Sequence, residues 1–220
     1  MKKVEVQRHS IFMRVCHWSI VITGILLALT GMQLGGLYGI QIVPEQALAT
    51  HVLIGFVFGA LWGLFAYYIL TKEWKWISLS RIPYSLKFFW AETKAWFGEG
   101  HVEDPRAYDP EKGEYIEKII PTQVMVWWGY ALVALLTGLT GLAMYYPKTF
   151  WPIIAICQAL APIFGTENGF ALVRALHLFG MYLFAVILIM HVYAVIIFGV
   201  LPSMVSGKRE EKVAEKTEAK

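Results

Sequence analysis

Charge is what this sequence has least of. Only 16% of its 220 residues are Asp, Glu, Lys or Arg, while 57% are hydrophobic. An ordinary soluble domain carries about 25% charged residues. The shortage is concentrated: four blocks, about 13–34, 51–70, 123–145 and 174–201, hold no Asp or Glu at all. Carboxylate ion pairs and carboxylate proton relays are therefore excluded within them. Cysteine is nearly as scarce, with two residues, Cys16 and Cys157, in no C-x-x-C and no metal-ligand spacing. Cys16 directly precedes His17, but C-x-x-C-H is absent, so covalent c-type haem attachment is not supported. Both cysteines read as small buried apolar side chains. A Ser-His-Asp set, a glycine-rich phosphate loop and a nucleic-acid-binding face are missing too.

What is there is built for lipid. A bilayer core of about 30 Å needs about 20 helical residues to cross it, and each of the four blocks is long enough. The expected fold is all-α, a transmembrane four-helix bundle. A fifth apolar stretch, WPIIAICQALAPIFG (151–165), is interrupted by Pro152 and Pro162 and reads as re-entrant or interfacial. The N-terminus lacks a short apolar run followed by a clean cleavage site, so it reads as a retained first helix rather than a signal peptide. Lys and Arg set the orientation. Segments 1–14, 71–121 and 202–220 hold four, eight and five of them, whereas 35–50 holds none and 146–174 holds two, Lys148 and Arg174. Both termini and the central loop are therefore expected in the cytoplasm. Within that loop KFFWAETKAWF (87–97) is amphipathic enough for a helix lying along the cytoplasmic surface. The polar, turn-rich stretch GEGHVEDPRAYDPEKGEYIEKIIP follows it. Residues 1–205 form one integral-membrane domain, and 206–220 a flexible cytoplasmic tail.

Six histidines punctuate the chain. His9 and His101 lie in polar segments and read as solvated surface residues. His17, His51, His177 and His191 lie in the apolar blocks, where an ionisable side chain reads as functional by default. His177 and His191 are fourteen residues apart. In a helix they fall about 40° from a common line and about 21 Å apart along the axis, one towards each side of a membrane. By depth His51 pairs with His177 on the outside, and His17 with His191 on the inside. Two such pairs suit two bis-histidine haems, because neutral imidazole is a good axial ligand for haem iron. Zinc or copper would want three or four ligands at one point, and depth divides these four between two places. Gly24, Gly31, Gly55, Gly59, Gly138, Gly141 and Gly180 leave room for a flat macrocycle beside a helix. Arg14 and Arg174 each stand three residues before a histidine and share its face, as expected of partners for haem propionates.

These residues resemble the dihaem cytochrome b subunit of membrane-bound formate dehydrogenases and its relatives in nickel–iron hydrogenases and thiosulfate reductases. RHSIFMRVCHW (8–18) is similar to that family's opening motif through Arg8, Arg14, His17 and Trp18, with LTG (29–31) after it. ALHLFGMYLFAVILIMHVY (175–193) resembles the fourth helix, with its fourteen-residue histidine step, and the likeness extends to SMVSGK (203–208). The resemblance implies an outer haem held at His51 and His177 and an inner haem held at His17 and His191, the pairing that depth suggests. It implies two haem b, and menaquinone or ubiquinone as substrate near the inner haem. The quinone loop corresponds to AYDPEKGEY (107–115), where Asp109 replaces an Asn and Glu111 stands where a Gly falls. Tyr108, Asp109 and Lys112 are the candidate quinone contacts.

The implied function is electron transfer without a catalytic nucleophile. The chain anchors a respiratory complex in a bacterial or archaeal cytoplasmic (inner) membrane and carries electrons from an iron–sulfur subunit, itself served by a catalytic dehydrogenase subunit, to the quinone pool. Formate dehydrogenase is the first expectation, and the cytochrome b of a hydrogenase or thiosulfate reductase the next. A standalone cytochrome b561-like quinone oxidoreductase would share the helices and histidines, and a non-redox membrane protein such as an assembly factor or channel would share the helices.

Overall fold

The computed structural model describes residues 2–214. Its order is β1 (Lys3–Gln7), α1 (Ile11–Leu34), α2 (Ala47–Lys72), α3 (Trp74–Ile77), α4 (Ile82–Trp96), β2 (Ala107–Asp109), β3 (Glu114–Glu117), α5 (Thr122–Tyr145), α6 (Trp151–Leu160), α7 (Gly169–Ile197), α8 (Leu201–Ser206) and β4 (Lys208–Lys212). The fold is all-α in its bulk, with two small two-stranded sheets.

The four long helices, α1, α2, α5 and α7, have 24, 26, 24 and 29 residues, about 36–43 Å of helix, enough to cross a membrane. Their apolar side chains do not turn inward: Ile22 is 58% exposed, Leu53 65%, Leu132 65% and Ile189 70%. Leaving a side chain of this kind in water forgoes about 1.5–3 kcal/mol, and hydrocarbon removes that cost. Threonine hydroxyls along the spans are satisfied locally, as where Thr23 donates to the Ser19 carbonyl at 2.7 Å and Thr137 to the Val133 carbonyl at 2.8 Å.

The chain divides into two compact units, and each holds one segment of every long helix. One unit comprises Leu27–Gly59 and Trp128–Met190. Its apolar cluster is Ala143, Cys157, Leu172 and Val173, with Phe150, Ile153 and Leu176 packed against it. The interrupted fifth stretch becomes α6, which opens on Trp151-Pro152 and passes at Ala161–Phe164 into a 3₁₀ turn. Gln158 on α6 accepts from the Gly169 amide at 2.8 Å and donates to the Glu167 carbonyl at 2.7 Å. The Asn168 side chain accepts from the amides of Phe170 (2.9 Å) and Ala171 (3.2 Å). This N-cap starts α7 at Gly169, five residues before the apolar block suggests. At the other end Gly199, in a left-handed conformation, stops α7 at Ile197 instead of 201.

The other unit holds Ala60–Trp127, with the chain up to Leu26 and from His191 onward. The amphipathic loop helix is α4; it begins at Ile82 and buries Ser85 and Phe88, while Trp90 and Phe97 just beyond it stay exposed. The turn-rich stretch after it folds as the β2–β3 hairpin. Of the segment 206–220, expected as a tail, residues 208–212 form β4, antiparallel to β1 with Lys3 opposite Lys212; residues 215–220 lie outside the described residues. Arg8 and Glu211, both side chains 3% exposed, pair across these strands. Arg8 also donates to the Lys118 carbonyl at 2.5 Å. Arg106 and Arg209 donate to the Phe198 carbonyl at 2.9 and 2.8 Å, two cations where the α7 dipole ends negative. Asp104 grips Arg106 through both carboxylate oxygens, at 2.8 and 2.5 Å.

Two predictions follow from this polar knot. E211A leaves the Arg8 guanidinium buried without its carboxylate, which costs about 3–5 kcal/mol; thermal unfolding in detergent should drop accordingly, and the C-terminus should be cleaved faster by protease. Burial alone would raise the Asp104 carboxyl, but its bonds to Arg106 outweigh burial and hold it below the ordinary 3.8. A depressed carboxyl contributes stability above its unfolded value and loses it as pH falls through the folded one. Unfolding followed down from pH 5 should show an acid loss that is shallower in D104N.

Candidate functional site

The four histidines of the apolar blocks meet in two pairs, one in each unit. In the first unit described, the ring centres of His51 and His177 are 6.2 Å apart, with planes at 74°. In the second, His17 and His191 are 6.4 Å apart at 49°. Two imidazoles hydrogen-bonded to each other would stand about 5 Å apart centre to centre. Two imidazoles trans on one metal stand about 6.4 Å apart, from a metal–nitrogen bond of roughly 2.0 Å and a further ~1.2 Å to each ring centre. Both pairs have the metal-bridged spacing. Among the described residues no three His, Cys, Asp or Glu side chains converge on one point, so a protein-only tetrahedral site is short of ligands, whereas an axial pair is complete with two.

Local structure holds the rings. Nδ1 of His51 lies 2.9 Å from the Thr30 hydroxyl. Nδ1 of His177 lies 3.1 Å from the Thr140 hydroxyl and 3.0 Å from the Thr137 carbonyl oxygen. A carbonyl only accepts, so Nδ1 of His177 carries the proton and Nε2 keeps its lone pair for a metal. A Cβ on Gly31 would stand 3.3 Å from Cε1 of His51, and one on Gly141 3.2 Å from Cε1 of His177; hydrogen at these two positions is what lets each ring lie against the neighbouring helix. Thr30 and Thr140 escape a reading of the histidines alone. The signal was present as a repeated triplet, Leu-Thr-Gly at 29–31 and twice in succession at 136–138 and 139–141.

Around His17, Trp18 stands edge-on at 5.5 Å and its Nε1 donates to the Met204 carbonyl at 3.0 Å. Arg14 donates to the Val205 carbonyl. Both flanking residues thus tie α1 to α8 and set the rotation that presents His17. Nδ1 of His17 is buried, with no hydrogen-bond partner among the described residues. The propionate candidates differ: Arg14 is already bonded through one terminal nitrogen, while its Nε is buried without a hydrogen-bond partner among the described residues, and Arg174 is exposed one turn before His177. The hairpin gathers the quinone candidates. Tyr108 on β2 stacks edge-on against Tyr115 of β3 at 5.1 Å. Asp109 accepts from the amides of Glu111 (3.0 Å) and Lys112 (3.2 Å) in the turn, and the Lys112 amine is 3.9 Å from the Asp109 carboxylate.

His101 is exposed, as expected, but His9 is not the solvated residue its polar neighbourhood suggests. Both its ring nitrogens are buried, without hydrogen-bond partners among the described residues. Burial first, then the charges of Arg8 and Lys118, push its pKa down to about 3, so the ring is neutral. The burial comes from long-range packing: the amides of Arg8 and His9 both donate to the carbonyl of Gly207, near the other end of the chain.

The family model for prokaryotic cytochrome b561 matches residues 8–207. The chain belongs to the prokaryotic cytochrome b561 family. No curated protein matches it significantly. This cytochrome b is therefore a multi-pass membrane protein that binds haem b and transfers electrons. The donor set fits the cofactor: haem iron takes two axial ligands from side chains, and each unit offers two imidazoles at the right spacing.

G141V should drive the His177 ring from its place and lose haem, while G141A, whose Cβ is merely tight, should retain most of it; the haem absorbance per protein of the two purified variants checks this.

Proposed function

We propose that this cytochrome b is the dihaem membrane subunit of a respiratory dehydrogenase complex, formate dehydrogenase before its hydrogenase and thiosulfate reductase counterparts. It passes electrons from an iron–sulfur subunit to menaquinone or ubiquinone. The observation that carries the reading is the pair of histidine pairs, each at the spacing of trans ligands on one metal. His51 with His177 and His17 with His191 would hold the two haems, which supply reversible one-electron chemistry when bound. Arg14 and Arg174 would meet the propionates.

The residues of the chain handle position and protons. The distribution of Lys and Arg supports cytoplasmic termini and a cytoplasmic β2–β3 hairpin, in the inner membrane of a prokaryote. A quinone taking two electrons there also takes two protons to become the quinol. The long spans contain no carboxylate, so the protons must come from the loop or from water. Asp109 or Glu111 would deliver them, with Tyr108 and Lys112 as contacts for the quinone oxygens. The family match fits a standalone cytochrome b561-like quinone oxidoreductase as well. The segments that fold outside the long helices, α4, the β2–β3 hairpin and the β1–β4 sheet, favour a subunit with surfaces for a partner.

H177A and H17A should each retain about one haem per chain instead of two, and the double variant none; a single variant retaining both haems rejects the pairing. Purification in mild detergent separates the two functions, since a subunit brings iron–sulfur and dehydrogenase chains with it and a standalone enzyme comes out alone and haem-loaded.

A further inference from the structure

We propose that the Leu-Thr-Gly triplets at 29–31 and 139–141 are matched seats for His51 and His177, and that their hydrogen bonds give the haem held there a lower reduction potential than the one held by His17 and His191. The proposal rests on the ligand assignment above and goes beyond it, because it orders the two sites.

The two seats are built alike on different helices. Thr30 on α1 spends its hydroxyl hydrogen on the Leu27 carbonyl at 3.2 Å, and Thr140 on α5 spends its own on the Leu136 carbonyl at 2.7 Å. Each hydroxyl oxygen is left to accept, and the group facing it is Nδ1 of His51 or of His177. A backbone carbonyl adds a second acceptor at each seat, Leu27 for His51 and Thr137 for His177, and it can serve because a backbone oxygen has two lone pairs. The glycine following each threonine lets the ring approach. Gly180, one turn beyond His177 on α7, faces Thr137 so closely that a Cβ would collide with its methyl group. α7 is thereby held near enough to α5 for the ring to reach that carbonyl.

A hydrogen bond from Nδ1–H makes the opposite nitrogen more basic. A more basic axial ligand favours ferric over ferrous iron, and ligand hydrogen bonding is one of the means by which a protein sets haem potential. Nδ1 of His17 has no such partner among the described residues. The donor strength is thus raised at both ligands of one site and left unraised at one ligand of the other. That difference orders the potentials, and with them the direction in which an electron runs downhill: from the His51/His177 site to the His17/His191 site.

The test is a redox titration of the purified, haem-loaded protein, following the haem absorbance, on the parent and on T30V, T140V and T30S. H177A, which keeps only the His17/His191 haem, tells which wave is which. T30V should shift the lower wave upward and leave the upper wave in place. T140V should shift it upward too, and each shift is partial because a backbone carbonyl, Leu27 for His51 and Thr137 for His177, still accepts. T30S, which keeps the hydroxyl, should titrate like the parent. If T30V sheds its haem, retention in T30S supports the seat and T140V carries the measurement. Two unmoved waves in T30V and T140V overturn the proposal, as does a shift confined to the upper wave or an assignment of the lower wave to the His17 pair. Full haem retention in H177A would instead reject the ligand assignment itself, so the two failures are distinct.

Discussion

An imidazole in an apolar helix has two ring nitrogens to satisfy and no water to satisfy them. Most of the site geometry follows from that constraint. At His51 and His177 one nitrogen of each ring is met by a threonine on the next helix, itself bonded to its own backbone. The other is left for whatever stands between the facing rings, at a distance that suits a metal and exceeds a direct hydrogen bond. The glycines beside these threonines have the same origin, since a ring cannot bond to a helix it cannot approach. The rest of each span can stay apolar and outward-facing because its own backbone and hydroxyl groups are bonded within the helix.

The two units solve different problems with different chemistry. The unit with His51 and His177 packs an apolar cluster around Cys157, Leu172 and Val173, and uses hydrogen bonds of Asn168 and Gln158 to cap α7. The unit with His17 and His191 carries a polar knot of Arg8, Glu211, Asp104, Arg106 and Arg209. A buried ion pair adds little net stability over apolar packing, but it is strongly directional. Here it joins segments from either end of the chain and delivers two guanidinium groups to the Phe198 carbonyl, just past α7. The same junction ties Arg14 and Trp18 to α8 and so presents His17.

Much of this was legible beforehand, and the parts that were not share a cause. The four spans, the loop helix over 87–97 and the presence of four histidines in the spans were readable because apolar runs and helical periodicity are local signals. The ends of α7 moved because Asn168 and Gly199 act on the helix outside the apolar block that marks it. Strands β1 and β4 were invisible because KVEVQ and KREEK are short and charged. Each becomes a strand only beside the other, from opposite ends of the chain. His9 was misread for the same reason, its burial depending on Gly207.

By itself, then, the sequence determined that the chain crosses a membrane, how often it does so, and which four imidazoles lie in the spans. Helix formation and lipid partitioning depend on runs of neighbouring residues, so those properties are written in order along the chain. Only the tertiary structure decided which threonines hold the rings, which tautomer His177 adopts, that the ring nitrogens of His9 are buried, and that Lys3–Gln7 and Lys208–Lys212 meet in a sheet. Each of these depends on atoms brought within about 3 Å from distant positions, where a hydrogen bond either forms or fails.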